Sequence, residues 1–571
     1  MVHRIRKEIF LLDGAMGTNL QLAGMPSGVC PESWALENPD QIARLHRAYA
    51  DAGSDAVYCF SFGANEIRLG EYGLADKTEE INQKLAQLAR SAVPENVLIG
   101  GSIGPMGCFV QPFGDMLFED AVNVFKRQVR ALTTGGVDFF AIETMMDIQE
   151  ARAALLAVKE TCDLPVFVCM TYERGHTLTG SDPVSALVTL QSLGADAVGM
   201  NCSTGPDAML PLLAAMKPYA KVPLIAKPNA GLPQEKDGVI YYDLDASSFA
   251  AAGRALIEAG ASILGGCCGT APHYIEALAK SVQDCAITPC TGKGSLLSCV
   301  CGVAAPNTGD FLLIGERINP TGQQELQQDL LDEEYDTLLE LADEQLEAGA
   351  NLLDVNVGMA GIDEKKALAS AVLQLSVYHR LPLCIDSADP DAMEAALRVY
   401  PGRALVNSVS CRQSQEKMLA LCAKYGAMFI AMPIDDNGIA ATAEARMALI
   451  RRITQQAEAL GIPRGDIIVD ALCMPAITAA NAGEQTLRTI RQAVAEGYCT
   501  VVGLSNVSHG LPAREYINAA FLLTAMAHGL HMAIANPLSA HLTPLLHAYE
   551  AVSGKEGALA RYTGAFGTHT K

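Results

Sequence analysis

The sequence predicts an α/β protein built from two (β/α)8 TIM barrels in tandem. Three observations support this prediction. The chain of 571 residues exceeds what one hydrophobic core usually supports. It is 50% hydrophobic and only 18% charged, so it can bury large cores. Short apolar runs recur in two sets of eight, separated by segments with helical periodicity, as in repeated strand-helix units.

The predicted strands are rich in the apolar residues that are typical of buried parallel strands. The first set consists of Ile9–Asp13, Asp55–Phe62, Val97–Ser102, Phe139–Thr144, Pro165–Thr171, Ala197–Cys202, Pro223–Pro228 and Ser262–Cys268. The second set consists of Phe311–Arg317, Asn351–Val357, Pro382–Ser387, Ala404–Ser408, Met428–Pro433, Asp466–Asp470, Thr500–Ser505 and His531–Pro537. Segments between them, such as Glu119–Thr133 and Tyr335–Ala348, carry apolar residues at helical spacing.

A stretch without periodicity separates the two sets of strands. Residues 286–310 are rich in Gly, Ser, Thr and Pro, which is typical of a connecting segment. We therefore expect a first barrel at residues 1–285, a linker at residues 286–310 and a second barrel at residues 311–571. In such barrels the carboxyl ends of the strands form one functional face.

Charge and cysteine content narrow the classes of function. A formal net charge of -23 repels phosphate backbones, so nucleic acid is not expected as a partner. No apolar run is long enough for a membrane span, and the apolar run near the amino terminus is too short for a signal peptide. The 17 cysteines, without a secretion signal, predict free thiols or metal ligands in a reducing, cytoplasmic compartment.

Three cysteines stand at two of the predicted strand ends. Cys202 ends one strand, and Cys267 and Cys268 end another two strands later. Three thiolates that converge there can bind Zn2+ and leave its fourth position open, which is typical of catalytic zinc sites. A substrate thiol bound at that position would lose its proton and become a nucleophile. The alternative is that these cysteines are small, buried apolar residues.

Six ordered motifs in the first half resemble the homocysteine S-methyltransferase family. They are DGAMGT (13–18), GSIGP (101–105), ETMMDIQEA (143–151), GMNCSTGP (199–206), KPNAGLP (227–233) and GGCCGTAP (265–272). The resemblance implies that the zinc ligands, which also carry the catalytic role, are Cys202, Cys267 and Cys268. It further implies that Asp13 and Glu143 bind the amino group of homocysteine, a favourable pairing of carboxylate with ammonium.

Two alternatives remain open in the first barrel. An ion pair at the barrel mouth is the structural alternative for Glu143. Where the family commonly has Thr-Asn-Thr-Phe, this chain has Cys59-Phe60-Ser61-Phe62. This departure replaces polar groups near the expected pocket and leaves the identity of the thiol substrate open.

The second barrel carries carboxylates and amides at its predicted strand ends. Asp386, Asn407, Asp470 and Asn506 are the main examples. A pterin ring presents hydrogen-bond donors and acceptors along one edge, so a site for it needs groups of this kind. Polar residues are common at barrel mouths, however, and these four alone identify no ligand.

The motifs around these residues are similar to the pterin-binding family of the corrinoid methyltransferases. They are IGERINPTG (314–322), LDVNVG (353–358), IDS (385–387), VNSVS (406–410) and GLSNVSHGLPAR (503–514). The resemblance implies that Asp386, Asn407 and Asp470 hold the pterin edge. It implies that Asn506 acts in catalysis beside N5, the atom that bears the methyl group. Glu316 and Asn319 are expected to line the same mouth, with a structural role as the alternative for Glu316.

Together the two resemblances imply the substrate modules of the cobalamin-dependent methionine synthase family. The expected reaction is methyl transfer from 5-methyltetrahydrofolate through cobalamin to homocysteine. No Asp-x-His-x-x-Gly word for cobalt binding occurs, so cobalamin is expected on a separate corrinoid-binding protein or on a missing module. The alternatives are a corrinoid-dependent methyltransferase for another thiol or methyl donor, and a non-catalytic folate-binding protein.

Overall fold

The computed structural model describes residues 1–236, 239–306, 309–413 and 416–567. The chain divides into two compact units, Met1–Lys293 and Gly294–Lys571. Each unit is built around one barrel of parallel strands, so the predicted pair of TIM barrels is confirmed. Among the described residues, no helix combines the length and the apolar character needed to cross a membrane.

The first barrel contains eight parallel strands in sequential order around its axis. They are β1 (Phe10–Leu11), β2 (Ala56–Tyr58), β3 (Leu98–Ile103), β4 (Phe139–Met145), β5 (Val166–Met170), β6 (Ala197–Asn201), β7 (Leu224–Lys227) and β8 (Ala261–Leu264). Asp55 closes the ring beside β2, because its backbone N–H donates to the carbonyl of Leu11 at 2.7 Å. All eight strands overlap the predicted runs of the first set.

Helices surround the first barrel, and aromatic side chains fill its interior. The helices are Val2–Ile5, Gly17–Leu22, Pro31–Glu37, Pro39–Asp51, Glu66–Gly70, Thr78–Ala92, Phe118–Gly135, Ile148–Lys159, Pro183–Ser192, Pro206–Met216, Ala246–Ala259 and Pro272–Val282. Phe139 and Phe167 pack inside the barrel with ring centroids 4.9 Å apart. Gly199 permits the close approach of β6 to β7, since a methyl group there would lie 2.0 Å from the carbonyl oxygen of Ile225.

The second barrel is a closed ring of eight parallel strands. They are β9 (Leu312–Ile318), β10 (Leu352–Val355), β11 (Leu383–Asp386), β12 (Leu405–Cys411), β13 (Met428–Asp435), β14 (Ile467–Asp470), β15 (Cys499–Gly503) and β16 (Met532–Ala535). The helices around it are Gln324–Asp332, Asp336–Glu347, Glu364–Tyr378, Pro390–Val399, Glu416–Tyr425, Ala443–Ala459, Ala482–Ala495, Arg514–Ala527, Leu542–Val552 and Ala558–Phe566. These eight strands overlap the second predicted set, including the last.

Each unit also contains a short pair of antiparallel strands outside its barrel. In the first unit, Pro233–Lys236 pairs with Val239–Tyr242 after β7. In the second unit, Leu297–Cys299 pairs with Gly302–Ala304, within the residues expected to be a linker. Leu297 is fully buried in the core of the second barrel, so this stretch contributes to packing.

Candidate active sites

The three cysteines named by the sequence meet at the mouth of the first barrel. The Sγ atoms of Cys202 and Cys268 lie 4.0 Å apart, and all three sulfur atoms lie within 4.8 Å of one another. Two sulfur ligands of a tetrahedral zinc ion at about 2.3 Å are separated by about 3.8 Å. The three sulfurs therefore fit a shared zinc ion. Within the described ranges, no other group of three or more His, Cys, Asp or Glu side chains lies close enough to share a metal ion.

The backbone that carries Cys202 is held in a strained conformation. Cys202 and Ser203 both have positive φ angles, 62° and 63°, which residues other than glycine rarely adopt. The backbone N–H of Cys202 donates to the carbonyl of Lys227 at 3.2 Å. The N–H of Cys267 donates to Pro228 at 2.8 Å. The end of β7 therefore fixes the turns that present both sulfurs.

The three thiols share protons among themselves. Hydrogen bonds from the thiols of Cys202 and Cys267 hold the pKa of Cys268 far below its usual range. The pKa of Cys267 is raised, because it donates to the other two sulfurs and is buried. Cys268 is therefore the most readily ionised of the three thiols, and a thiolate there would attract a cation.

The cavity beside the sulfurs contains both predicted ammonium-binding carboxylates. It has a volume of about 350 Å³, and Asp13, Glu143, Cys202, Cys267 and Cys268 all line it. Asp13 Oδ2 accepts the backbone N–H of Tyr58 at 2.8 Å, and Glu143 Oε1 accepts the hydroxyl of Ser102 at 2.7 Å. The structure thus brings together all five residues that the sequence named in this barrel.

Lys227 lies between the two carboxylates and was not identified from the sequence. Its Nζ is 3.6 Å from Asp13 Oδ1, 3.6 Å from Glu143 Oε2 and 3.7 Å from the ring centroid of Tyr58. Burial lowers the pKa of Lys227, but Glu143 and Asp13 outweigh it and raise the pKa overall. The signal was present in the sequence, because Lys227 is the penultimate residue of the predicted strand Pro223–Pro228 and begins the KPNAGLP motif.

The end of the cavity that carries Asp13 and Glu143 can accept a second cation. Two carboxylates face one ammonium group, and Asp13 Oδ1 is buried without a hydrogen-bond partner within the described part of the chain. Burial raises the pKa of Asp13 to about 6, which reflects incomplete charge compensation. Glu143 also forms the barrel-mouth ion pair with Lys227 that was its structural alternative.

Apolar side chains form the wall contributed by the loop after β2. Cys59, Phe60 and Phe62 line the cavity, whereas the hydroxyl of Ser61 donates to the carbonyl of Ser102 at 2.7 Å. The departure from the family pattern therefore makes this wall apolar, as the sequence suggested.

All six residues named in the second barrel line one cavity at its mouth. This cavity has a volume of about 790 Å³, and its lining includes Glu316, Asn319, Asp386, Asn407, Asp470 and Asn506. Glu316, Asp386, Asn407 and Asp470 lie on four strands, and Asn319 and Asn506 lie in the segments that follow β9 and β15. Carboxylates and amides therefore converge on one space at the mouth of the second barrel.

Neighbouring polar groups orient the amide and carboxylates in this cavity. Asn407 Nδ2 donates to Asp354 Oδ1 at 3.2 Å, so its carbonyl oxygen is left for a ligand. Asn356 Nδ2 donates to Asp386 Oδ2 at 3.0 Å. Burial, and then the charge of Asp386, raise the pKa of Asp354 to about 7. Sequence reasoning missed Asp354, because it lies one residue inside the strand end.

Glu316 lines the same cavity and is held there by Ser505. The hydroxyl of Ser505 donates to Glu316 Oε1 at 2.6 Å, and Arg514 donates to the carbonyl of Ser505 at 2.7 Å. Burial raises the pKa of Glu316. Because Ser505 precedes Asn506, this network also fixes the backbone that carries Asn506.

The folds and sites define a two-barrel protein with a thiol-rich cavity in one barrel and an acid-and-amide cavity in the other. Residues 10–282 match the homocysteine S-methyltransferase family, and residues 315–536 match the pterin binding enzyme family. The chain thus belongs to the proteins that join a homocysteine S-methyltransferase domain to a pterin-binding domain.

Similar proteins include two mycobacterial methionine synthases. The chain is 31% identical to that of Mycobacterium leprae, over 94% of this chain and 48% of the relative. It is also 31% identical to that of Mycobacterium tuberculosis, over 93% of this chain and 47% of the relative. The chain therefore spans about half the length of these relatives. The oxidized homocysteine methyltransferase MmuM from Escherichia coli is a structural match at 25% identity and a TM-score of 0.41, covering 48% of this chain and 95% of that one.

Proposed function

We propose that this chain transfers a methyl group from 5-methyltetrahydrofolate, through cobalamin, to homocysteine, giving methionine and tetrahydrofolate. The observation that carries the proposal is the convergence of three sulfurs, spaced to share a zinc ion, beside two carboxylates in one cavity. Cobalamin would come from a separate corrinoid-binding protein or from another part of a longer chain. The sequence similarity to methionine synthases supports this proposal.

In the first barrel, the residues would bind and activate the thiol substrate. Cys202, Cys267 and Cys268 would hold Zn2+, which lowers the pKa of a thiol in its fourth position. Asp13 and Glu143 would bind the substrate ammonium, and Oδ1 of Asp13, which accepts no hydrogen bond from the described residues, would be one acceptor. Lys227 compensates one of their two charges, so the pocket accepts one further positive charge.

In the second barrel, the residues would bind the pterin and orient its methylated nitrogen. Asp386, Asn407 and Asp470 would pair with the donors and acceptors of the pterin edge. Asn506 would hydrogen-bond near N5, whose C–N bond breaks only when N5 carries positive charge. The electron pair of the broken C–N bond would remain on N5 of tetrahydrofolate, and a reduced corrinoid would supply the electron pair for the new bond to the methyl group. Glu316 and Asn319 would complete the wall of the site.

Methyl transfer from methylcobalamin to homocysteine tests the function proposed for the first barrel. The purified chain, loaded with zinc, should form methionine in this assay. Binding of 5-methyltetrahydrofolate to the same preparation independently tests the function proposed for the second barrel. Absence of bound zinc together with intact folate binding would favour the non-catalytic folate-binding alternative.

The free thiols of all 17 cysteines fit the proposed cytoplasmic location.

The apolar wall after β2 makes the identity of the thiol a separate question. We expect homocysteine to compete more strongly for the cavity of the first barrel than its analogue without the amino group, 4-mercaptobutanoate. Only homocysteine places an ammonium beside Asp13 and Glu143. A hydrogen-bonded charge pair contributes about 1.5–3 kcal/mol, so the ratio of inhibition constants should be roughly 10–100. Equal inhibition by both thiols would exclude homocysteine as the preferred substrate.

Folate affinity should depend on the ionisation of Asp470. Burial raises the pKa of Asp470 to about 6, above its ordinary value, so the carboxylate that accepts pterin N–H groups is complete only above that pH. We expect the dissociation constant for 5-methyltetrahydrofolate, measured by equilibrium dialysis, to rise as the pH falls below about 6. Asp470→Asn should weaken binding by roughly 10–100-fold and remove the dependence on this group. Glu340→Gln, at an exposed position on the same barrel, should change neither property.

A further inference from the structure

Asn201 connects the thiol cluster to the carboxylate end of the first cavity. It is the last residue of β6, directly before Cys202, and its side chain is only 1% exposed. Its amide lies between Thr144, which follows Glu143 on β4, and Cys267, which follows β8. The function proposed above gives this buried amide no role.

The hydrogen bonds define which way the amide of Asn201 points. Its Oδ1 lies 2.7 Å from the backbone nitrogen of Thr144, which can only donate, so this atom must be the oxygen. The amide nitrogen therefore faces the other side. It donates to the hydroxyl of Thr144 at 2.8 Å and to the sulfur of Cys267 at 3.8 Å. One N–H of Asn201 is thus directed at a sulfur of the cluster.

We propose that Asn201 is a positioning residue for the metal site, stabilising Cys267 as a thiolate ligand through an N–H···S hydrogen bond. This inference rests on the zinc site of the proposed function. Three cysteinates and a zinc ion carry a formal charge of -1, and a bound substrate thiolate would add another negative charge. A hydrogen-bond donor at one sulfur offsets part of this charge and fixes the direction of the sulfur. The same amide holds Thr144, so the metal end and the carboxylate end share one anchor.

Asn201→Asp isolates the contact with sulfur. An aspartate at this position can still accept the backbone N–H of Thr144, and the Thr144 hydroxyl can rotate to donate to its second oxygen. Only the donor to Cys267 is lost, and a negative oxygen takes its place. Thr171→Val is the matched control, because the Thr171 hydroxyl donates to the backbone carbonyl of Asn201 at 3.0 Å and leaves the side-chain amide intact.

The test is zinc affinity of the full chain, measured by competition with a chromophoric chelator. We expect Asn201→Asp to raise the zinc dissociation constant roughly 10–100-fold, the usual effect of losing an outer-shell partner, and Thr171→Val to leave it unchanged. The sulfur-to-cobalt charge-transfer band of the Co2+-loaded protein should also shift in Asn201→Asp alone. Zinc affinity equal to or tighter than that of the native protein in Asn201→Asp would overturn the inference.

A measurement on the native protein covers the case in which the variant does not fold. In protein with isotope-labelled asparagine and bound cadmium, the side-chain amide protons of Asn201 should show scalar coupling to the cadmium nucleus through the sulfur. If the protein binds cadmium but shows no such coupling, the role of Asn201 is contradicted while the proposed metal site stands. Native protein that binds neither zinc nor cadmium would refute the proposed zinc site as well, so the two failures are distinguishable.

Discussion

Cys267→Ala should abolish zinc retention and reduce methyl transfer from methylcobalamin to homocysteine by at least about 1,000-fold, more than the ~10–100-fold cost of losing an outer-shell partner. Removing this sulfur leaves two thiols, fewer than the three protein ligands of a catalytic zinc site. The substrate thiol would then keep its ordinary pKa and be mostly protonated at neutral pH. Metal content of the purified protein and the initial rate of methionine formation measure the two effects.

The control for this prediction is a cysteine outside the cluster. Cys162→Ala removes a half-buried thiol from the loop after the helix Ile148–Lys159, away from the cavity. We expect normal zinc content and normal activity for this variant. Folate binding by the second barrel should be unaffected in both variants. Full activity of Cys267→Ala without bound zinc would end the proposal that these sulfurs activate the substrate.

Lys227→Met should destabilise the first barrel by about 3–5 kcal/mol at neutral pH, the usual cost of removing one partner from a buried ion pair. The side chain of Lys227 is only 3% exposed, and its removal takes away the only cation that pairs with Asp13 and Glu143 among the described residues. Methionine preserves much of the volume, so lost charge rather than a cavity dominates the effect. Homocysteine should partly restore stability, because its ammonium replaces the missing charge.

The single tryptophan makes this effect measurable in a two-domain chain. Trp34 lies in the helix Pro31–Glu37 of the first unit, so its fluorescence during urea unfolding reports on that unit. Lys280→Met is the matched control, since the Lys280 side chain is 72% exposed and pairs with Glu276 across one helical turn. Such surface pairs contribute at most about 1 kcal/mol. Equal unfolding midpoints for the two variants would show that Lys227 is not needed to balance the carboxylates.

The strands and the principal site residues could be predicted because both follow from local patterns. Parallel barrel strands are buried on both faces and therefore read as short apolar runs. Their carboxyl ends share one face, so Cys202 and Cys267 were expected to meet although they are distant in the chain. The acids and amides of the second barrel were found in the same way, and they do line one cavity.

Contacts between side chains of different strands could not be predicted in this way. Nothing in the local sequence indicates that Lys227 reaches the carboxylates of Asp13 and Glu143, or that Asn201 reaches the sulfur of Cys267. Asp354 was missed because it precedes the strand end, yet its carboxylate orients the amide of Asn407. Such pairings depend on strand register and on the direction of each side chain inside the barrel.

The sequence by itself determined the number of barrels, their strands and the chemical groups at each mouth, since apolar periodicity and residue identity are properties of the chain. Only the tertiary structure decided the electrostatic balance of the two cavities. Barrel closure brings the ends of separate strands within a few ångströms, and the resulting distances between charges determine which carboxylates are compensated. The ion pair between Asp13 and Lys227 and the oriented amide of Asn201 are consequences of that closure.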